Sequence, residues 1–95
     1  MMKAILIIYD KELDSEVVSL LHGAGISGYT KFIDIEGKKL ENDVYESKNN
    51  YACFIALSAD KVALVYKEFS DFRKNKLRKN FGVSIFLLPL EEMLT

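Results

Sequence analysis

Residues 4–9 read AILIIY, residues 51–57 read YACFIAL and residues 85–88 read IFLL. A strand with one face in water alternates apolar and polar residues, and none of these three runs alternates. They therefore predict strands that are apolar on both faces. Apolar residues recur at helical spacing over 13–24 and 59–75, and two such helices cover only one face of a small sheet. Because each large apolar side chain left in water forfeits roughly 1.5–3 kcal/mol, we expect another chain to cover the second face.

The composition is that of an ordinary soluble domain. The chain has 95 residues, 49% of them apolar and 28% charged, with a net charge of -1. This length predicts a single domain over 1–95. The absence of a basic field argues against nucleic-acid binding. Cys53 has no second cysteine to pair with, and the first apolar run is too short to span a bilayer, so we expect a cytoplasmic protein without membrane insertion.

The order of the predicted elements is βαββαβ. The four strands are expected at 3–9, 29–36, 51–57 and 83–88. With right-handed crossovers this order predicts an α+β, ferredoxin-like two-layer sandwich, in which both helices lie on one face of an antiparallel four-stranded sheet. Pro89 is expected to start a short C-terminal helical turn through Glu91, Glu92 and Met93.

Two local signals refine this prediction. Gly25 is suited to a left-handed stop for the first helix, and Ile26 is placed for the hydrophobic contact of a Schellman ending. The second strand is interrupted by Lys31, Asp34 and Glu36, which is typical of an edge strand.

Residues 37–50 read GKKLENDVYESKNN and predict a long loop between two strands. Long loops in compact domains are usually functional or mobile, so we expect this one to be disordered alone and ordered by a ligand. Lys38, Lys39 and Tyr45 are its expected partner contacts. Its acidic residues lack a fixed ligand spacing, and no metal site is expected there.

The stretch 73–80 is basic, with Arg73, Lys74, Lys76, Arg78 and Lys79. Two readings remain open. Cations suit the end of a helix and can simply be solvated there, or they bind an anionic effector, since arginine and lysine bind phosphate well. No set of aromatic residues is arranged along the stretch as a base-stacking platform, and the net charge is slightly negative, which argues against nucleic acid.

The sequence holds no nucleophile–base pair, so an enzyme is not expected. Cys53 lies mid-strand among apolar residues and is expected to act as a small hydrophobe. His22 near a helix end, and the adjacent Glu91 and Glu92 in a first turn, fit dipole and capping preferences better than catalysis.

Two motifs resemble the P-II signalling proteins. Residues 25–30, GISGYT, resemble the "GIPGMT" between the first helix and the second strand of that family, and residues 85–94, IFLLPLEEML, resemble its "IFVSPVEEVI" ending. The resemblance implies a homotrimer whose sheets pack around a central axis. It also implies a loop, here 37–50, that regulates an as yet unidentified protein target, and nucleotide binding in clefts between subunits.

The resemblance also implies effector-binding residues. Thr30 and Gly37 match family positions, and Lys38 lies beside them. The stretch NFGVS, 80–84, stands where the family has the glycine-rich TGxxGDGK, and it keeps Gly82. If the basic residues of 73–79 bind an anionic effector, their side-chain charge takes the place of the missing phosphate loop. The predicted function is thus sensing of a small anionic effector, with an adenine nucleotide as candidate; the alternative is a CutA-like trimeric metal-responsive or structural protein without nucleotide.

Overall fold

A computed structural model describes residues 2–41, 44–77 and 81–94; of residues 37–48 only the backbone is described. The strands are β1 (Met2–Asp10), β2 (Thr30–Glu41), β3 (Val44–Ser58) and β4 (Val83–Pro89), and the helices are α1 (Asp14–Gly23) and α2 (Ala59–Asn75). A 3-10 turn, Lys11–Leu13, links β1 to α1. The predicted βαββαβ order and the α+β, ferredoxin-like arrangement are confirmed.

The sheet has the strand order β2-β3-β1-β4, and every neighbouring pair is antiparallel. The two most apolar strands, β1 and β3, are therefore central. The more polar β2 is an edge strand, as its sequence predicts.

The two faces of the sheet differ in cover. The residues of the central strands that point towards the helices are buried: Ile5, Ile7, Tyr9, Cys53, Ile55 and Leu57. They pack with Val17 and Leu21 of α1 and with Val65, Phe69 and Phe72 of α2. The opposite face is also apolar, and no described element covers it. Phe32, Phe86 and Leu88 on that face are 50%, 46% and 39% exposed.

The end of α1 follows its predicted geometry. Gly25 has φ +80°, and the Ile26 N–H donates to the Leu21 carbonyl while the Gly25 N–H donates to the His22 carbonyl. These are the two hydrogen bonds of a Schellman ending. Neither described helix is long and apolar enough to cross a membrane.

The predicted irregular loop over 37–50 is wrong. Residues up to Glu41 belong to β2 and residues from Val44 onward to β3, with Gly37 opposite Lys48 and Leu40 opposite Tyr45. A ladder uses main-chain hydrogen bonds, so polar side chains do not prevent it. Because β1 ends at Asp10 opposite Asn50, this hairpin projects past the sheet. Residues 42–43 lie outside the described residues.

A bulge in β2 marks the base of the hairpin. The register shifts between Phe32 and Ile35, so that Ile33 and Asp34 face one residue of β3. Asp34 has φ +53°, in the left-handed region where aspartate is among the less disfavoured residues. The bulge therefore separates the part of β2 within the sheet from the projecting ribbon.

The predicted helical turn after Pro89 is also wrong. β4 continues through Pro89, and residues 90–94 contain a bend but no helix. Pro89 pairs with Lys3 at the end of an edge strand, a position where proline is tolerated.

Candidate functional site

A cavity of about 410 Å³ lies at the end of the sheet where β1 begins and β3 ends. Because β2 begins only at Thr30, opposite Phe54, residues 55–58 have no β2 partner. Residues 25–28 line the cavity beside this open edge. The cavity is open to solvent on one side. The lining consists of Met2, Gly25, Ile26, Ser27, Gly28, Ile55, Ala56, Leu57, Ser58 and Lys61.

Lys61 brings positive charge to this cavity from the first turn of α2. Its Nζ donates a hydrogen bond to the Gly25 carbonyl oxygen at 3.0 Å. The left-handed φ of +80° favours glycine at position 25. A Cβ there would lie 2.8 Å from that Nζ, which is the movable end of a flexible side chain. The cavity thus combines a cation with buried apolar side chains, Ile26, Ile55 and Leu57.

The predicted effector residues lie at different places in one chain. Thr30 begins edge strand β2, and Gly82 immediately precedes edge strand β4, where its carbonyl accepts a hydrogen bond from the Asp10 N–H. Three strand spacings separate the two edges, about 14 Å. Gly37 and Lys38 belong to the projecting hairpin. The same is true of Lys39 and Tyr45, and of these four residues only the backbone is described.

The basic stretch lies at the opposite end of α2 from the cavity. Arg73 and Lys74 are exposed in the last turn, and Lys76 follows as the C-cap. Arg78 and Lys79 fall at 78–80, outside the described residues. At 1.5 Å per residue, about 20 Å of helix separates this end from Lys61. Gly82 and the described basic residues thus share the hairpin end of the molecule, whereas Thr30 lies nearer the cavity end.

A polar cluster inside the helix-covered layer joins four elements. The Tyr9 hydroxyl donates to Asp14 Oδ1 at 2.6 Å and lies 3.5 Å from Cys53 Sγ. Lys31 Nζ donates to Asp14 Oδ2 at 2.9 Å. The Lys31 ammonium is also 6.0 Å from the ring centroids of Tyr29 and Tyr51. The cluster therefore ties the start of α1 to β1, β2 and β3.

Burial and the hydrogen bonds within the cluster shift the pKa values of its members. Burial, with the hydrogen bond to Asp14, raises the pKa of Tyr9. Burial also raises the pKa of the Cys53 thiol, which keeps it a poor nucleophile. Burial alone would raise the pKa of Asp14, but the hydrogen bonds from Tyr9 and Lys31 outweigh it and lower the pKa. The hydrogen bond to Asp14 raises the pKa of Lys31.

The other residues considered from the sequence do not converge. His22, Glu91 and Glu92 are exposed and lie on separate parts of the chain. Cys53 is fully buried, as predicted. Among the described residues, no group of three or more histidine, cysteine, aspartate or glutamate side chains is placed to hold a metal ion.

Solved structures share this arrangement over nearly the whole chain. The nitrogen regulatory PII-like protein CPII from Thiomonas intermedia K12, solved with ADP, AMP and bicarbonate, matches at a TM-score of 0.69 and 18% identity, over 98% of this chain and 96% of that one. The fold is P-II-like. B. subtilis GlnK, solved with ATP, matches at 0.69 and 13% identity, over 92% of this chain and 81% of that one.

A second kind of protein matches this chain equally well. The periplasmic divalent cation tolerance protein CutA from Archaeoglobus fulgidus has a TM-score of 0.70 and 18% identity, over 99% of this chain and 88% of that one. No protein-family model matches the sequence, and no curated protein matches it. At these identities the likeness establishes the fold alone.

The sequence alone does not indicate a binding role for Lys61 in the cavity. Lys61 stands 36 residues from the glycine whose carbonyl it contacts, so no local pattern links them. The one feature of the sequence that sets Lys61 apart is its place in the first turn of α2, where the helix dipole disfavours positive charge.

Proposed function

We propose that this protein is a P-II-like regulatory protein that self-associates and senses a small anionic effector. The observation that carries the proposal is the uncovered sheet face, which presents Phe32, Phe86 and Leu88 to water. Exposed apolar patches of this kind mark interaction sites. The trimer is the assembly that the P-II resemblance implies. In it, the packing of the three sheets around a central axis would cover this face.

Self-association also accounts for the scattered effector residues. Thr30 and Gly82 lie at opposite edges of one sheet, so they meet only if the β2 edge of one copy approaches the β4 edge of another. The exposed Arg73, Lys74 and Lys76, together with Arg78 and Lys79, would then add positive charge to a cleft between copies. The candidate effector of that cleft is an adenine nucleotide, and ADP and AMP are bound by the CPII protein.

The projecting hairpin is the part suited to contact a protein target. Its two arms extend past the end of β1, and Lys38, Lys39 and Tyr45 belong to these arms. The resemblance assigns regulation of a target to this segment. The role is regulation in the cytoplasm rather than catalysis, in line with the regulatory proteins that share the fold.

A CutA-like role is the second candidate, and the hairpin favours it. The two arms of the hairpin are paired without a ligand, unlike the ligand-ordered loop expected from the sequence. The match to the CutA protein covers 99% of this chain. In this candidate the protein is a trimeric metal-responsive or structural protein that binds no nucleotide.

Sedimentation followed by calorimetry separates the two candidates. We expect the protein to sediment as a trimer, and a stable lone protomer in dilute buffer would overturn both. Calorimetry with ATP, ADP and AMP should give binding for the regulatory protein. Binding of divalent cations alone would instead support the CutA-like candidate, and binding of neither would contradict effector sensing.

A further inference from the structure

We propose that the polar cluster, acting through Tyr51, fixes the angle at which the projecting hairpin leaves the sheet, and that the bulge in β2 is the hinge. The cluster thereby makes the direction of the hairpin depend on the first turn of α1. This inference goes beyond the proposed function, because it names no effector or target and applies to both candidate functions.

The pairing of β3 is interrupted on both sides at the point where the hairpin begins. On one side, β1 ends at Asp10, opposite residue 50 of β3. On the other side, the bulge between Phe32 and Ile35 places two residues of β2 opposite Tyr51. A bulge disrupts the ladder and bends its strand. The main chain alone therefore fixes the angle of the hairpin less firmly here than within the sheet.

Side chains hold Tyr51 at this level. Its ring stands edge-on to the ring of Tyr9, with 6.3 Å between the centroids and 73° between the planes. The Lys31 ammonium lies 6.0 Å from the Tyr51 centroid, at the outer limit of a cation–π contact. Tyr9 and Lys31 both donate to the Asp14 carboxylate, at 2.6 and 2.9 Å. These contacts connect the residue opposite the bulge to the first residue of α1.

The helix at the other end of this connection is firmly packed. Asp14 begins α1, and Val17 and Leu21 of the same helix are fully buried in the core. Hydrogen bonds from two donors allow the carboxylate few positions. Because Lys31 precedes the bulge by only two residues, its ion pair with Asp14 orients β2 immediately before the hinge. A change in the first turn of α1 should therefore alter the direction of the hairpin.

Asp34 limits the range of the hinge. Its φ of +53° lies in the left-handed region, which few residues other than glycine, asparagine and aspartate adopt. Glycine at this position would have many backbone conformations available. The aspartate keeps the bulge in a narrower set of conformations, and the polar cluster selects the angle within that set.

Backbone ¹⁵N relaxation of the intact protein tests the role of the cluster. Order parameters report picosecond–nanosecond motion, and relaxation dispersion reports microsecond–millisecond exchange. In the wild type, the amides of 36–40 and 45–49 should be as rigid as those of β1, with order parameters near about 0.85. Lys31→Met removes the ammonium but keeps an unbranched side chain. The hairpin order parameters should then fall towards about 0.6, or new dispersion should appear there, while β1 stays rigid.

Lys67→Met, at an exposed position on α2, is the matched control and should leave the hairpin unchanged. Unchanged hairpin motion in Lys31→Met would overturn the inference, as would a wild-type hairpin that is already flexible. Unchanged β1 amides in Lys31→Met show that the motion does not come from unfolding.

Two further sets of variants test the ion pair and the hinge separately. Asp14→Asn breaks the same ion pair, so the double variant with Lys31→Met should be no more mobile than Lys31→Met alone. A clearly more mobile double variant would show that the two residues act independently and would overturn the coupling. Asp34→Gly should loosen the hairpin, and Asp34→Asn, which tolerates the left-handed region, should match the wild type. Equal hairpin motion in the two Asp34 variants would overturn the assignment of the hinge.

Discussion

The two faces of the sheet carry similar side chains in different surroundings. The face towards the helices is closed by Val65 and Phe69 of α2 and by Leu21 of α1, all fully buried. The opposite face presents Phe32 and Phe86 to water. Alternation along a strand usually distinguishes a core face from a solvent face. Here both faces are apolar. The described elements bury only the face towards the helices, and the other face is left apolar and exposed.

The faces also differ in how polar groups are used. The helix-covered layer includes an ion pair between Lys31 and Asp14, with the hydroxyl of Tyr9 joined to the same carboxylate. Polar groups that are paired in and beside the core fix register and orientation, because their hydrogen bonds tolerate few arrangements. The uncovered face relies on apolar contact, which is less directional. The first face therefore defines the protomer, and the second is suited to association.

A charge on the uncovered face should have the largest effect. Phe86→Asp places a carboxylate where we expect another copy to pack, and an unpaired buried charge costs several kcal/mol in each copy. The association constant should fall by about a thousandfold or more, and sedimentation velocity should report single protomers. Leu64→Asp is the matched control, because Leu64 is 49% exposed on α2. Equal sedimentation of the two variants would show that the sheet face is not the interface.

Truncation in the covered core comes next in size. Phe69 is fully buried, and Phe69→Ala should lower the free energy of unfolding by about 3–5 kcal/mol. Denaturant titration at several protein concentrations measures this loss, which should be the same at each concentration. Phe86→Ala should remove only the concentration-dependent part of the stability. A concentration-dependent loss in Phe69→Ala would contradict the division into two cores.

The sequence predicts elements whose signal is local. Helix α2 occupies its predicted range, 59–75, because Val65, Phe69 and Phe72 recur at helical spacing after Ser58. The stop at Gly25 follows equally local chemistry. The hairpin over 37–50 has the composition of a loop, because its side chains are polar and its pairing uses main-chain hydrogen bonds, which composition does not report.

The polar cluster and the cavity cannot be predicted from neighbouring residues in the sequence, because their members are far apart along the chain. Lys31 meets Asp14 across 17 residues, and Tyr9 meets Cys53 across 44. Such contacts can be predicted only when the register of β1 against β3 and of β2 against β3 is known. The bulge before Ile35 cannot be predicted from the sequence either, because one extra residue in a strand does not change its composition in a recognisable way.

Removing the Tyr9 hydroxyl tests how much the cluster stabilises the covered layer. Tyr9→Phe keeps the ring and deletes the 2.6 Å hydrogen bond to Asp14. The free energy of unfolding should fall by about 1.5 kcal/mol, because hydrogen bonds to charged groups are the stronger ones. Denaturant titration measures the change, and Tyr29→Phe at an exposed position should leave stability within about 0.5 kcal/mol of the wild type. If Tyr9→Phe leaves the free energy of unfolding unchanged, the cluster stabilises the covered layer by packing alone.

The smallest expected effect is the pH dependence of the Asp14 carboxylate. Its pKa is lowered below the ordinary 3.8, so its stabilising effect is fully present above that value and is lost as pH falls through the folded pKa. Because the Asp14 and Lys31 side chains are about 30% exposed, the contribution should stay below about 1 kcal/mol. Unfolding curves between neutral pH and about pH 2 should show wild type and Asp14→Asn converging in stability at the acid end. An Asp14→Asn deficit that persists unchanged at the acid end would mean that the carboxylate charge contributes nothing.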